Sequence, residues 1–285
     1  MPSFIHKPRR KVVLLAAGAL GLVVLGALSA SVVLLSGAYS TAATTQHFKI
    51  THRLLDAGLR FSVRSHASGV KVPDLAREGM LERGAACYRM HCVQCHGAPG
   101  VARHPAGRGM LPIASSLAQS AREWPPEWLY YVTRKGVRMS GMPAWEFRIA
   151  DEDLWSTVAF LTRLPFMTHQ DYLDLHAESA DFSCRAPTEM RHDALHGDVK
   201  VVFRQYACHA CHRIEGIVGP KSRVGPPLVD WPRRKYVAGV LPNTEENLIR
   251  FIRDPQGVSP HSLMPKLDVG EVHARQMARY LLASE

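Results

Sequence analysis

The sequence predicts an all-α protein in which an N-terminal transmembrane helix precedes two tandem globular domains. Three observations lead to this fold. An uncharged apolar run extends from Val12 to about Tyr39. Neither half of the remaining chain shows the period-2 alternation of a β-strand. A Cys-x-x-Cys-His pentad occurs twice, and the same order of motifs follows each copy. A chain of 285 residues is long enough for two small domains and an anchor.

The apolar run exceeds the roughly 20 residues that a helix needs to cross a bilayer. A cleaved secretory signal is the alternative, but its apolar region spans only about 7–15 residues, which favours an uncleaved anchor. Basic residues precede the run and are expected on the cytoplasmic side, so that everything after Tyr39 lies beyond the inner membrane. These residues are Lys7, Arg9, Arg10 and Lys11.

The two pentads are typical of covalent haem attachment. Two thiols two residues apart can reach two vinyl groups of one porphyrin, and the following His faces the iron. A thioredoxin-like pair needs a βαβ context that neither copy has. A four-thiolate zinc site needs its halves close in sequence, whereas about 116 residues separate these copies. We therefore expect two covalent haem c groups, attached at Cys92, Cys95 and His96 and at Cys208, Cys211 and His212.

Each pentad is followed by a Gly- and Pro-containing loop, a helix, a Met-Pro pair and a terminal helix. In the first half, helices are predicted over 126–135 and over 151–163, the latter capped by Asp151. In the second half, Asn243 and Glu246 suggest a capping box, and a last helix is predicted over about 270–282.

With this order of motifs, the chain resembles the class I cytochrome c family twice over. The resemblance covers about residues 75–285, with a linker between the two copies. The resemblance implies two tandem cytochrome c-type haem domains. Its residues in the first copy are Gly84, Tyr88, Cys92, Cys95, His96, Pro112, Met142, Pro143, Trp155 and Leu161. In the second copy they are Cys208, Cys211, His212, Gly225, Pro226, Met264, Pro265, Tyr280 and Leu281.

In that family, an aromatic residue of the N-terminal helix packs on an aromatic residue of the last helix. Tyr88 and Trp155 fit these positions in the first copy. The second copy departs from the pattern, because Arg204 stands where the first aromatic residue is expected. Phe203 or Tyr206 must therefore take its place.

The resemblance also implies the axial ligands of each iron. His96 and Met142 are expected at the first iron, and His212 and Met264 at the second. Each methionine stands in a Met-Pro pair, about 46 and about 52 residues after its histidine. Met139 is the main competitor of Met142. A Met thioether closes the sixth position and leaves electron transfer as the remaining task.

Two further features concern the surroundings of the iron ligands. In the family, a carbonyl of the Gly-Pro loop receives the Nδ1–H of the ligating His, with Pro226 as the match and Pro112 as the weaker one. Met110, about 14 residues after His96, lies too close in sequence to cross to the opposite side of the haem.

Cys87 and Cys184 remain outside the pentads. A disulfide between them suits an oxidising compartment. The alternative is a buried free thiol, which is ordinary for a cysteine on a core helix, and the sequence favours this alternative.

The segment before the first domain carries Ile50, Leu54, Leu55, Leu59 and Phe61 at helical spacing. We expect a short helix that lies along the membrane or along the first domain. The predicted organisation is an anchor at 1–40, a connecting segment at 41–73, a first cytochrome domain at 74–172, a linker at 173–196 and a second cytochrome domain at 197–285.

These features predict a membrane-anchored dihaem cytochrome c of a Gram-negative bacterium, with its haem domains in the periplasm. It would carry single electrons in a respiratory chain, as a carrier or as a subunit of a terminal oxidase, without catalytic residues or a small-molecule substrate. A cytochrome subunit that serves a periplasmic dehydrogenase and a dihaem peroxidase are the alternatives. Expected partners are the bilayer, a membrane redox complex and a soluble cytochrome.

A net charge of +10 raises the question of nucleic-acid binding. The positive residues are scattered rather than clustered with aromatic residues, apart from the juxtamembrane group and the stretch 232–235. We therefore expect no nucleic-acid function. A mildly basic surface suits anionic lipid or an acidic protein partner.

Overall fold

The computed structural model describes residues 7–46, 48–187, 199–220, 222 and 224–284. Its first element is α1 (Lys7–Leu35). The stretch Lys11–Leu35 has a mean hydropathy of 2.5 and none of its most apolar window is buried, so it is long and apolar enough to cross a membrane. This helix is compatible with a single-pass anchor.

The first hydrophobic core is formed by helices on both sides of the first pentad. The predicted helices over 126–135 and 151–163 are confirmed with these bounds. Short 3₁₀ turns lie at Trp145–Phe147 and Leu164–Phe166. The helices are α2 (Lys49–Ala67), α3 (Met80–His91), α4 (Val93–His96), α5 (Pro105–Arg108), α6 (Leu117–Glu123), α7 (Pro126–Lys135), α8 (Asp151–Arg163) and α9 (His169–Glu178).

Helices α3 and α8 cross at Gly84. A Cβ atom on this glycine would lie 1.9 Å from the carbonyl oxygen of Ser156 and 2.9 Å from the Cβ of Phe160. No side chain fits in that space, so glycine is required for the two helices to touch. This contact places the helix that precedes the first pentad against the helix that follows the Met-Pro loop.

The aromatic contacts at this crossing differ from the predicted pair. Tyr88 packs against Phe160, with ring centroids 4.7 Å apart. Trp155 instead stacks on Tyr130 of α7, at 3.9 Å and nearly parallel. The prediction that Tyr88 packs on Trp155 is therefore wrong, because the helix crossing turns Phe160 toward α3.

Residues 169–178, part of which were assigned to the linker, form α9 on the first core. The side chains of Thr168 and Asp171 form a capping box at its start. Tyr172 and Leu175 of this helix are buried in the core. The structure thus differs from the predicted linker over 173–196, because apolar side chains keep this stretch on the first half. Residues 188–196 lie outside the described residues.

Beyond α9, the chain returns over α3 and α8. Cys184 forms a disulfide with Cys87 of α3, with their Cα atoms 4.8 Å apart. The favoured alternative of a free thiol is wrong: Cys87 is buried, but the returning segment brings a second thiol to it. The next residue, Arg185, donates from its backbone N–H (2.7 Å) and its guanidinium to the fully buried carboxylate of Asp153.

A second hydrophobic core lies around the second pentad, with Phe203, Leu248 and Met277 among its most buried residues. Short 3₁₀ turns lie at Cys208–Ala210 and Trp231–Arg233. The antiparallel strands β1 (Tyr236–Val237) and β2 (Leu241–Pro242) form a small hairpin. The helices are α10 (Val199–Gln205), α11 (Glu245–Arg253), α12 (Pro255–Val258) and α13 (Glu271–Ala283).

Phe203 of α10 meets Tyr280 of α13, with ring centroids 5.6 Å apart. Phe203 therefore takes the position of the missing aromatic residue. Tyr206 instead places its hydroxyl 2.8 Å from Nδ1 of the buried His273.

Two predicted helix caps are corrected. The N-cap of α11 is Thr244, whose hydroxyl accepts from the backbone N–H of Asn247. Asn243 is drawn away from this role because its side chain bonds to the Trp231 indole, at 2.9 Å. In α8, Asp151 is the first helical residue rather than the cap.

Candidate haem sites

The first pentad begins where α3 ends. The thiol of Cys92 is buried and that of Cys95 is half-buried, and neither takes part in a disulfide. Burial raises the pKa of the Cys92 thiol to about 12, so this thiol is protonated at neutral pH. Because neither cysteine forms a disulfide, both sulfurs are available for thioether bonds.

The ring of His96 is held from one side. Its Nδ1 lies 2.9 Å from the carbonyl oxygen of Ser115, and a carbonyl can only accept, so Nδ1–H donates. The remaining Nε2 keeps its lone pair for a metal. Burial lowers the pKa of His96, which favours this neutral form. The hydroxyl of Tyr88 donates to the carbonyl of Gly97, which fixes the chain directly after the ring.

Pro112 was expected to supply that carbonyl, and this prediction is wrong. The acceptor, Ser115, lies 19 residues after His96. In the second half the corresponding separation is 14 residues. The longer loop of the first half therefore delivers a carbonyl from beyond the Pro112 position.

The second pentad repeats the arrangement. Nδ1 of His212 lies 2.7 Å from the carbonyl oxygen of Pro226, as the resemblance implied. A Cβ on Gly225 would lie 2.4 Å from the His212 ring, so the loop can pass this closely only with glycine there. Burial raises the pKa of the Cys208 thiol to about 11, and Cys211 is half-buried and unbonded.

The methionines of the first half differ in exposure. Met142 is half-buried and packs against the first core, to which Cys92 belongs. Met139 is 91% exposed and has a φ of 61°. Met142 is therefore the better-placed thioether. The methyl group of Met110 lies against Gly141 of the same loop, because a Cβ on that glycine would be 1.9 Å from it.

In the second half, Met264 is half-buried but is not among the residues of the second core, whereas Cys208 packs against that core. The backbone carbonyl of Met264 accepts from the side-chain amide of Gln256, at 2.6 Å. This bond holds the Met-Pro loop near α12.

Both Met-Pro loops contain a serine turn that the sequence reasoning missed. The backbone N–H of Met142 donates to the hydroxyl of Ser140 at 3.1 Å, and that of Met264 donates to Ser262 at 3.3 Å. The repeated pattern Ser-x-Met-Pro carried this signal. Each serine orients the backbone of its methionine.

The donor set of each half fits a haem c. Each half offers two unbonded thiols, a His with a free Nε2 and a half-buried Met in an ordered turn. Histidine and thioether sulfur are the axial ligands of low-spin cytochrome haems. The residues that would hold the groups are Cys92, Cys95, His96 and Met142, and Cys208, Cys211, His212 and Met264.

Residues 79–161 match the family model for cytochrome c oxidase, cbb3-type, subunit III. This region is a c-type cytochrome domain. It spans α3 to α8, includes the first pentad and Met142, and implies covalently bound haem c with iron.

Two relatives support the assignment of this domain. The chain is 30% identical over 113 residues to cytochrome c oxidase subunit 2 of Alkalihalophilus pseudofirmus, covering 39% of this chain and 31% of the relative. It is 31% identical over 74 residues to cytochrome c oxidase subunit 2 of Bacillus sp. strain PS3, covering 25% of this chain and 20% of the relative. The chain thus spans less than a third of these relatives. No solved structure matches the chain.

Proposed function

We propose that this chain is a membrane-anchored dihaem cytochrome c that carries single electrons to or within a terminal oxidase. Two tandem cytochrome c domains follow an anchor formed by α1 and face the periplasm. The observation that carries the proposal is the repeated His geometry. His96 and His212 each follow a pair of unbonded thiols and donate Nδ1–H to a loop carbonyl, at 2.9 and 2.7 Å.

A haem c bound in each half would supply the reversible Fe(III)/Fe(II) couple. The residues of the chain then have a positioning task rather than a catalytic one. The loop carbonyls hold the imidazoles, and the serine turns present Met142 and Met264 as sixth ligands. A closed sixth position opposes the peroxidase alternative. The similarity to oxidase subunits favours a terminal oxidase over a periplasmic dehydrogenase as partner.

The haem count tests the proposal. Full-length protein purified from bacterial membranes should keep its colour after acid-acetone extraction and give two c-type haems per chain as pyridine haemochrome. Cys92→Ala/Cys95→Ala and Cys208→Ala/Cys211→Ala should each leave one covalent haem. One c-type haem per chain in the unaltered protein, with no loss of haem in the second double variant, would contradict the dihaem proposal. Free haem b in the extract would contradict covalent attachment.

Two further measurements separate the alternatives. Added hydrogen peroxide should produce no sustained turnover. Sustained turnover would instead support the peroxidase alternative. Mild solubilisation of the native membranes should recover the chain with haem–copper oxidase activity. Recovery with a dehydrogenase instead would assign the other partner and leave the electron-transfer function intact.

A further inference from the structure

Helix α2 follows the anchor and has two unlike faces. On one face, Val63 and Ala67 are buried. Near its end, the ring of His66 stacks on Tyr131 of α7, with centroids 5.6 Å apart. This face is therefore fixed on the first half of the protein.

A different face of α2 is apolar and exposed. Ile50, Leu54 and Phe61 lie in one line along the helix, because their spacings of four and seven residues return to the same side. They are 62%, 66% and 69% exposed. A line of three large exposed apolar side chains marks a contact with lipid or with another protein.

Cations border this apolar stripe on one side. Arg53 and Arg64 are exposed, and within the described part of the chain neither of them forms an ion pair. Arg60, which lies nearer the packed face, pairs with Glu123 of α6 at 3.1 Å. The arrangement of an apolar line beside unpaired cations is typical of helices that lie in the interface of an anionic membrane.

The chain keeps α2 within reach of the bilayer. Only residues 36–48 separate α1 from α2, and a segment of this length spans at most about 45 Å when fully extended. The stripe is thus continuous in sequence with the proposed membrane-spanning segment.

We infer that α2 lies in the headgroup region of the bilayer, with Ile50, Leu54 and Phe61 in the acyl boundary and the neighbouring cations at anionic phospholipid. The inference rests on the proposed anchor. Because α2 is packed on α7, it holds the first haem domain in one orientation against the membrane, whereas the anchor alone would leave that domain on a flexible tether.

Photo-cross-linking of the full-length haem-loaded protein tests this placement. Benzoylphenylalanine is introduced at Leu54 or at Leu55 in separate preparations, which are reconstituted into phosphatidylcholine vesicles containing about one-third phosphatidylglycerol. Leu55 is the matched control, since it is the adjacent leucine, is similarly exposed at 61% and points about 100° away. Lipid adducts are quantified by mass spectrometry after irradiation.

We expect at least about fivefold more lipid adduct from position 54 than from position 55. Arg53→Glu/Arg64→Glu should reduce the adduct at position 54, and so should vesicles of phosphatidylcholine alone. Equal adducts at the two positions, or a covalent dimer formed from position 54, would overturn the inference. Benzoylphenylalanine at Leu22 of α1 tests the anchor separately. Absence of a lipid adduct at this position would contradict the proposal that α1 spans the membrane.

Discussion

The two pentads lie in surroundings that support them to different degrees. In the first half, Gly84 lets α3 and α8 touch, and the Cys87–Cys184 disulfide fastens a returning segment over both helices. In the second half, the residue eight positions before the pentad is Lys200, whose side chain extends to Gly216. That half contains no cysteines besides its pentad pair.

The bonds nearest the pentads are nevertheless the same in both halves. Each His donates to a loop carbonyl, and each Met-Pro loop carries a serine turn. The difference indicates that the geometry of the proposed haem ligands is set by the local loops, whereas helix packing and the disulfide set stability. Changes to ligands should therefore affect the halves alike, and changes to the scaffold should affect them unequally.

The largest expected effect follows from removing a proposed axial methionine. This change tests whether the two proposed haem sites are equivalent. A Met thioether on ferric low-spin haem gives a weak band near about 695 nm. Met142→Ala and Met264→Ala should each remove about half of this band and create one ferrous haem that binds carbon monoxide. The exposed Met139 is the control, since Met139→Ala should leave the band intact.

A different result would be equally informative. Loss of the band in Met139→Ala but not in Met142→Ala would reverse the ligand choice in the first half. Stoichiometric carbon monoxide binding by the unaltered protein would show an open haem and support the peroxidase alternative.

The second prediction sharpens the contrast in stability. Cys184→Ser removes the disulfide, which links residues 97 positions apart, and should destabilise the first half by about 2–4 kcal/mol. In the Met264→Ala background, the remaining 695 nm band reports the urea unfolding of the first half alone. In the Met142→Ala background it reports the second half, whose midpoint should not move. Equal shifts of both midpoints would mean that the halves unfold as one unit.

The halves also make direct contact, which gives such coupling a physical route. The guanidinium of Arg148 donates to the backbone carbonyl of Gln205 at 3.2 Å. The ring of Phe147 lies 5.9 Å from that of His273. This contact joins the turn after the first Met-Pro loop to the helices around the second pentad.

The sequence could predict the structural features that depend on residues close together in the chain. The helices over 126–135 and 151–163 follow from periodicity and were confirmed, and the carbonyl of Pro226 was found on His212 as expected. The axial roles of Met142 and Met264 stay predictions. The Ser-x-Met-Pro turn was visible in the sequence but was missed.

The predictions that were wrong concern contacts that depend on the tertiary arrangement. Ser115 replaces Pro112 because the length of a loop, rather than its motif, decides which carbonyl arrives at His96. The partner of Cys87 depends on a segment that returns after a helix assigned to the linker. Such contacts join residues far apart in sequence, and no local sequence pattern predicts them.

An effect that develops gradually with pH concerns acid stability and the buried His273. Its ring is fully buried, and burial lowers its pKa to about 4. In the unfolded chain a histidine titrates near about 6.5. Between these values the unfolded state binds a proton that the folded state does not, so the stability of the second half should fall as the pH falls from about 6.5 to about 4. The total loss is up to about 3 kcal/mol, since each pKa unit corresponds to about 1.4 kcal/mol.

Urea midpoints in the Met142→Ala background, measured between about pH 7 and pH 4.5, check this slope. His273→Phe should flatten it, because the titrating group is gone. Tyr206→Phe removes the hydroxyl at Nδ1 but keeps the imidazole buried, so it should retain the slope. His91 of the first half also has a pKa lowered by burial, which is why the comparison is made between variants of one half. If the slope persists in His273→Phe, another group causes the acid sensitivity. His273 would then not distinguish the two halves.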